Sequence, residues 1–198
     1  MSLRRAATLL LILAVAFASH IPAASAQAVA PFDLAHLMAH FASVKSASAQ
    51  FVERRSVHFL KAPLVAKGTL IFAAPNRLEK KTSEPTPEDM VIDGDTLTVQ
   101  REGHTQTLSL SGYPQIGAFI EGIRATLTGD IASLQRIYQT DLQGDASGWQ
   151  LVLVPRDPAM QAVVLSIAIV GSNDVIDRIE TAEPNGDHTD MRITEDGR

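Results

Sequence analysis

The sequence contains no cysteine among its 198 residues. Without thiols the chain can form no disulfide bond, so its stability must come from packing. The same absence excludes a cysteine nucleophile and a metal site with cysteine ligands. It also excludes a lipid anchor on a cysteine that follows a cleavage site, so we expect a protein that is not lipid-anchored.

Clusters of basic residues are also missing. The chain has 17 Lys and Arg residues against 22 Asp and Glu residues, which gives a formal net charge of -5. Such a balance argues against binding to nucleic acid and against docking on anionic lipid head groups.

Long apolar runs occur only at the start of the chain, and there only briefly. Arg4 and Arg5 precede an apolar run from Leu9 to Ala18, and Ala24-Ser25-Ala26 has the small residues of a cleavage site. The run is too short to span a bilayer. We therefore predict a signal peptide over residues 1–26 and a single periplasmic domain over residues 27–198.

Two segments have the apolar spacing of amphipathic helices. Asp33 is a predicted N-cap, and the stripe that follows it is Leu34, Leu37, Met38, Phe41 and Val44. The second stripe is Ile116, Phe119, Ile120, Ile123 and Leu127, and Gly129-Asp130 ends that helix.

Most of the remaining chain reads as strands joined by Gly, Asn, Asp and Pro turns, such as Asp93-Gly94-Asp95. About eleven strands are predicted, the first extending from Ala49 to Phe59, and residues 155–158 are read as a turn. An antiparallel sheet of this size must curl to cover its apolar face. The predicted fold class is therefore α+β, mainly β: an incomplete antiparallel β-barrel with helices across its concave face.

Candidate catalytic groups are few. His36 and His40 have helical metal-ligand spacing, but no third ligand is evident, so we interpret them as solvated residues and predict no metal site. No Gly-x-Ser-x-Gly motif accompanies His58 or His104. A Ser-His pair built from distant residues stays open as an alternative.

Apolar strand residues exceed what a sandwich of this length needs. They allow either a packed core or a cavity for an acyl chain, in which each buried methylene gains about 0.8 kcal/mol. In Arg54-Arg55 and Lys80-Lys81, one residue of each pair should face inward because consecutive strand residues point to opposite faces. That residue could contact an anionic head group or serve to prevent edge aggregation.

The order of these features resembles the periplasmic outer-membrane lipoprotein carrier proteins, the LolA-like family, and more closely its divergent members met beside polyketide or aryl-polyene type pathways. The matching segments are Ala47-Ser48-Ala49-Gln50-Phe51, Gly68-Thr69-Leu70-Ile71-Phe72 with Pro75, Val91-Ile92-Asp93-Gly94-Asp95-Thr96-Leu97, Gly129-Asp130, Trp149 to Pro155, and Ile167-Ala168-Ile169.

The resemblance implies a helical lid over an apolar cavity, no cofactor and no enzymatic activity. It implies an acylated lipoprotein or lipid as cargo, an inner-membrane donor, an outer-membrane acceptor and a monomeric carrier. The implied cargo-binding residues are Phe51, Leu70, Phe72, Leu78, Val91, Phe119, Ile120, Ile123 and Trp149. Carriers of the best-known type have an arginine before the proline that follows the second strand, and it is tied to lid closure. Ala74 stands there in this chain, so Arg77 is the nearest candidate for a latch or head-group contact.

Three functions are thus open. The first is a periplasmic carrier, with residues 116–127 as the lid. The second is a lipid- or protein-binding accessory or sensor module that does not shuttle. The third is a hydrolase for lipid-linked substrates that uses His58 or His104.

Overall fold

The computed structural model describes residues 32–195, and the predicted signal peptide lies outside them. Helix α1 (Leu34–Ser43) comes first. Six strands follow: β1 (Ser46–Ser56), β2 (Leu64–Ala73), β3 (Arg77–Glu84), β4 (Glu88–Asp93), β5 (Thr96–Arg101) and β6 (His104–Ser109). A 3-10 turn (Leu110–Gly112) leads to α2 (Pro114–Thr128) and α3 (Ile131–Ile137). The remaining elements are β7 (Tyr138–Asp145), β8 (Gly148–Pro155), α4 (Pro158–Gln161), β9 (Ser166–Ser172), β10 (Val175–Ala182) and β11 (His188–Glu195).

All eleven strands form one antiparallel sheet in the order β6-β5-β4-β3-β2-β1-β11-β10-β9-β8-β7. It consists of two meanders, β1–β6 and β7–β11, joined where β1 pairs with β11. Within residues 32–195, β6 and β7 are unpaired edges, so the sheet does not close. The predicted fold, a mainly-β incomplete antiparallel barrel of eleven strands with helices, is confirmed.

The alternation of side chains gives the sheet one apolar and one polar face. Leu78, Ile92 and Leu97 are direct partners across β3, β4 and β5, so they share the face that the helices cover. Their sequence neighbours Arg77 and Asp93 are paired on the opposite face. We call the first the inner face and the second the outer face.

The larger of two cores lies under α1 and α3. Leu37, Met38 and Phe41 of α1 are buried against strands β8 and β9 together with Leu134 of α3. The ring centroids of Trp149 and Phe41 lie 5.9 Å apart in a T-shaped arrangement, and Trp149 donates its Nε1 hydrogen to the carbonyl of Asn173 at 3.0 Å. This core fixes α1 and α3 on the β7–β10 half of the sheet.

The smaller core lies under α2, on the other half of the sheet. Ile120 of α2 and Leu110 are buried against Ile92 and Leu97. Around these four residues the packing apolar side chains are only partly buried. Helix α2 therefore contributes one large buried side chain, Ile120, to this core, whereas α1 contributes three to the larger core.

The helix ends have the capping predicted from the sequence. The Asp33 carboxylate accepts the backbone N–H of His36 at 2.8 Å, and Asp130 does the same for Ser133 at 3.0 Å. Gly129 ends α2 with a φ of 70°, the left-handed conformation that favours glycine at this position. The Asp33 cap and the Gly129-Asp130 helix end are both as predicted.

Two local predictions were wrong. Strand β1 ends at Ser56 instead of Phe59, because the chain turns at residues 57–60, where the Leu60 N–H bonds to the Val57 carbonyl. The segment read as a turn at residues 155–158 leads into the short helix α4, whose N-cap Asp157 accepts the N–H of Ala159. Within residues 32–195, no helix has both the length and the apolarity that a membrane span requires.

Candidate functional site

The middle of the inner face, between the two cores, is formed by β1, β2 and β11. Phe51 of β1 and Phe72 of β2 are buried there, and Leu70 is half-buried. Register places all three on the inner face, since Phe51 pairs with Ile193 and Phe72 pairs with Leu78. These strands therefore supply a continuous apolar wall that belongs to neither core.

Helix α2 connects the two cores. Phe119 packs against both of them, while Ile120 is buried in the smaller one and Ile123 is half-buried. At the amino-terminal end of the helix, Ile116 is exposed. The apolar contacts of α2 thus centre on residues 119–123, and its first turn projects into solvent.

Polar contacts hold α2 to the hairpin between β4 and β5. The Arg124 Nη2 atom donates to the Gly94 carbonyl at 2.9 Å, and Nη1 contacts the Glu121 carboxylate at 2.8 Å. The side chain of Arg124 is only 17 % exposed. No local sequence signal marks this arginine, because it lies off the apolar stripe and its acceptor is a backbone carbonyl thirty residues away.

A second attachment joins α2 to the start of β7 through a close approach. A Cβ atom on Gly122 would lie 2.2 Å from Cε2 of Tyr138, so only glycine fits against this ring. Tyr138 is fully buried, and desolvation raises the pKa of its phenol. Glycine at this position lets α2 pack directly on an aromatic ring of the sheet.

The inner wall is not purely apolar. Lys80 contacts Glu53 with an Nζ–Oε2 distance of 2.6 Å, and its ammonium group lies 5.1 Å from the centre of the Phe51 ring. Lys80 pairs with Leu70 and Arg55 pairs with Leu64, which places both basic residues on the inner face. The prediction that one residue of each basic pair faces inward is confirmed.

Two predicted cargo-binding residues lie outside the apolar wall on β1 and β2. Val91 pairs with Glu79 and Thr98, which places it on the outer face, away from the apolar wall. Trp149 is enclosed in the larger core, where its hydrogen bond and its contact with Phe41 give it a structural role. The assignment of Val91 as a cargo-binding residue is therefore corrected, and that of Trp149 stays a prediction.

The suggestion that Arg77 acts as a latch is also wrong. Its guanidinium contacts the Glu79 carboxylate at 2.7 Å and the Asp93 carboxylate at 3.1 Å on the outer face. These contacts raise the pKa of Arg77, and the hydrogen bond to Glu79 is the largest cause. Because the inner face is on the other side of the sheet, Arg77 cannot hold a helix there.

Of the histidines considered for catalysis, His58 has the most defined surroundings. Its backbone N–H and its Nδ1 atom each lie 2.9 Å from Oδ1 of Asp187, which is buried. These bonds lower the pKa of Asp187, with the backbone bond as the largest cause. The pair joins the β1–β2 hairpin to the turn before β11, while His104 is exposed on β6.

Two concavities mark the rest of the described surface. One, of about 440 Å³, lies beside Arg54 and Arg192 of the outer face. The other, of about 350 Å³, lies at the start of α2 beside Arg124.

Comparison with known proteins gives one family match. Residues 23–194 match the family described as outer membrane lipoprotein carrier protein LolA-like. A search of curated proteins found no match.

Among solved structures, a LolA superfamily protein, NE2245, from Nitrosomonas europaea has 11 % identity and a TM-score of 0.43, covering 80 % of this chain and 90 % of that chain. The Mycobacterium tuberculosis lipoprotein LppX has 12 % identity and a TM-score of 0.43, covering 82 % and 96 %. A chain of the Pseudomonas aeruginosa MucA/MucB complex has 16 % identity and a TM-score of 0.39, covering 82 % and 56 %.

Proposed function

Because this chain belongs to the outer membrane lipoprotein carrier protein LolA-like family, we propose that it is a periplasmic carrier. It shields the acyl chains of a lipoprotein or of a lipid intermediate from water and delivers that cargo towards the outer membrane. The observation that carries the proposal is the apolar wall on β1 and β2, which lies between the two cores and beside α2.

The proposed binding surface consists of this wall and the residues of α2 that lie against the sheet. Its members are Phe51, Leu70, Phe72, Leu78, Phe119, Ile120 and Ile123. Since Phe51, Phe72 and Ile120 are buried in this arrangement, an acyl chain can enter only when α2 moves away from the sheet. We interpret the structure as the closed state of the carrier.

The free energy gained by burying an acyl chain is similar to the free energy needed to move α2 away from the sheet. Ten methylenes of an acyl chain would gain about 8 kcal/mol on burial, which is comparable with the cost of separating a few buried side chains and polar contacts. Helix α2 contributes Ala125 as its one buried apolar member of the larger core, so displacing α2 leaves Leu37, Met38 and Phe41 of α1 packed with Leu134 of α3. The lid can therefore open while the sheet stays folded, and no nucleotide is needed to drive it.

The test measures the lipid that is bound to the protein after its host has produced and exported it. Mass spectrometry of extracted lipids should find an acylated species in stoichiometric amount. Phe119→Glu should reduce its retention because the substitution puts a charge at the contact between α2 and both cores. Ile116→Glu, an exposed position on the same helix, is the matched control and should retain cargo as the unchanged protein does.

Repeated recovery of protein without lipid, together with no uptake of a fluorescent fatty acid, would contradict the proposal. A stable protein partner in the absence of lipid would then favour an accessory or sensor module. Hydrolysis of lipid-linked substrates that is lost in His58→Ala would favour an enzyme.

A further inference from the structure

Exposed apolar side chains gather at one end of the sheet. Eight large apolar side chains are exposed among the described residues, and six of them lie on two neighbouring segments. The hairpin between β1 and β2 carries Phe59 at 74 % exposure, with Leu60, Leu64 and Val65, and the segment before β9 carries Val163 and Leu165. We call these six residues the apolar end.

Hydrogen-bond register shows that the two segments are at the same end. The Leu165 N–H bonds to the carbonyl of Ala182, Ala182 pairs with His188, and His188 pairs with Ser56 at the start of the hairpin loop. Three strand spacings separate β9 from β1, which corresponds to about 14 Å. Both segments can therefore contact one flat surface at the same time.

The hairpin loop is anchored at its base while its tip projects. Asp187 accepts two bonds from His58, and Arg55 contacts the Glu183 carboxylate at 3.1 Å. These contacts involve residues immediately before Phe59, and they attach the loop to the turn between β10 and β11. The apolar side chains are thus presented by an ordered loop, which lowers the entropy lost when they bind.

Two basic residues lie beside the apolar end, although the whole chain is acidic. Lys61 lies at the loop tip, and Arg54 lies on the outer face at the base of the hairpin. In residues 32–195, no carboxylate forms an ion pair with either of them. The nearby carboxylates Glu183 and Asp187 are already bound by Arg55 and His58.

We propose that the apolar end docks on an anionic lipid bilayer. Phe59 and Leu60 enter the interfacial region, and Lys61 contacts lipid phosphates, with Arg54 adding to the attraction. A bilayer fits better than a protein pocket because the apolar residues project from two separate segments and do not line a groove. Apolar insertion combined with a few cations is the pattern of reversible membrane association.

The experiment uses exported protein whose amino terminus has been determined by mass spectrometry. It measures cosedimentation of this protein with two types of vesicle. One contains phosphatidylcholine and phosphatidylglycerol, and the other contains phosphatidylcholine alone. We expect binding to the first type. The double substitution Phe59→Glu/Leu60→Glu should weaken it about tenfold or more, because each change puts a charge in place of apolar area that would be buried in the bilayer. Lys61→Glu should weaken binding to the anionic vesicles only.

Tyr113→Glu is the matched control, since Tyr113 is an exposed apolar residue at the start of α2, away from the apolar end. It should bind vesicles as the unchanged protein does. All four proteins should show the same thermal transition, because the altered side chains are exposed. The hairpin variant should also take up a fluorescent fatty acid in solution as well as the unchanged protein does. This result would separate docking from cargo binding.

Two results would overturn the proposal. One is a failure of the unchanged protein to sediment with the anionic vesicles. The other is equal sedimentation of the hairpin double variant and the unchanged protein. Loss of a protein partner on Phe59→Glu/Leu60→Glu, with no vesicle binding by any variant, would instead assign the apolar end to a protein interface.

Discussion

The contact between Arg124 and Gly94 gives the sharpest test of how α2 is held. We predict that Arg124→Ala loosens α2 from the β4–β5 hairpin without unfolding the sheet. The substitution removes the 2.9 Å bond to the Gly94 carbonyl and the 2.8 Å contact with Glu121. A hydrogen bond from a charged donor with little exposure contributes about 1.5–3 kcal/mol.

The contact with Glu121 supplies little of this energy. It joins residues three apart on one helix, and the Glu121 side chain is 35 % exposed, so it contributes about 0.3–0.5 kcal/mol. Arg124→Ala should therefore lower the free energy of unfolding by about 2 kcal/mol. For a domain of this size, the Tm should fall by about 4–8 °C.

The assays are calorimetry and amide hydrogen exchange, with Glu121→Gln as the control. The control keeps the bond to Gly94 and should change the free energy of unfolding by less than about 0.5 kcal/mol. In Arg124→Ala, exchange should accelerate more over residues 114–128 than in α1, which keeps its own buried side chains Leu37, Met38 and Phe41. Equal Tm values for the two variants, or equal acceleration in α1 and α2, would refute the reasoning.

Three further predictions concern packing, pH and capping. Gly122→Ala should lower the free energy of unfolding by about 1–3 kcal/mol because its Cβ would overlap the Tyr138 ring, and denaturant titration measures the change. The pKa of Asp187 is lowered from 3.8 by its bonds to His58, so the stability it contributes is present above the unfolded pKa and is lost as pH falls through the folded value. Accordingly, unfolding curves of Asp187→Asn and the unchanged protein should differ at neutral pH and converge in acid. Asp130→Ala should cost about 1 kcal/mol through loss of the α3 cap, and an unchanged midpoint in urea would contradict this.

The sequence was sufficient to predict the sheet, because the evidence for each strand is local. Alternating side chains and Asp-Gly turns identify β4 and β5 without knowledge of the rest of the chain. Alternation does not say which set of residues faces inward, however. In β4 both sets contain an apolar residue, and register places Met90 and Ile92, not Val91, on the inner face.

Contacts between distant segments were beyond prediction. Arg124 and Gly94 are joined only after the sheet has curled beneath α2, and nothing in either local sequence marks the pair. The low overall basic content argues against binding to lipid surfaces, but a count of charges does not say where they lie. The fold leaves Lys61 beside exposed Phe59, and it pairs the neighbouring Glu183 carboxylate with Arg55.

The pairing of β1 with β11 has a consequence for the order of assembly. These are the first and last strands of the described chain, and their ladder is the one strand pairing that links the two meanders. Such a non-local ladder forms late, since nearly the whole polypeptide must be brought into a loop before its ends can meet. A nascent chain that has not yet produced residues 188–195 therefore consists of two half-sheets with additional free edges, and it needs protection from aggregation until its final strand is made.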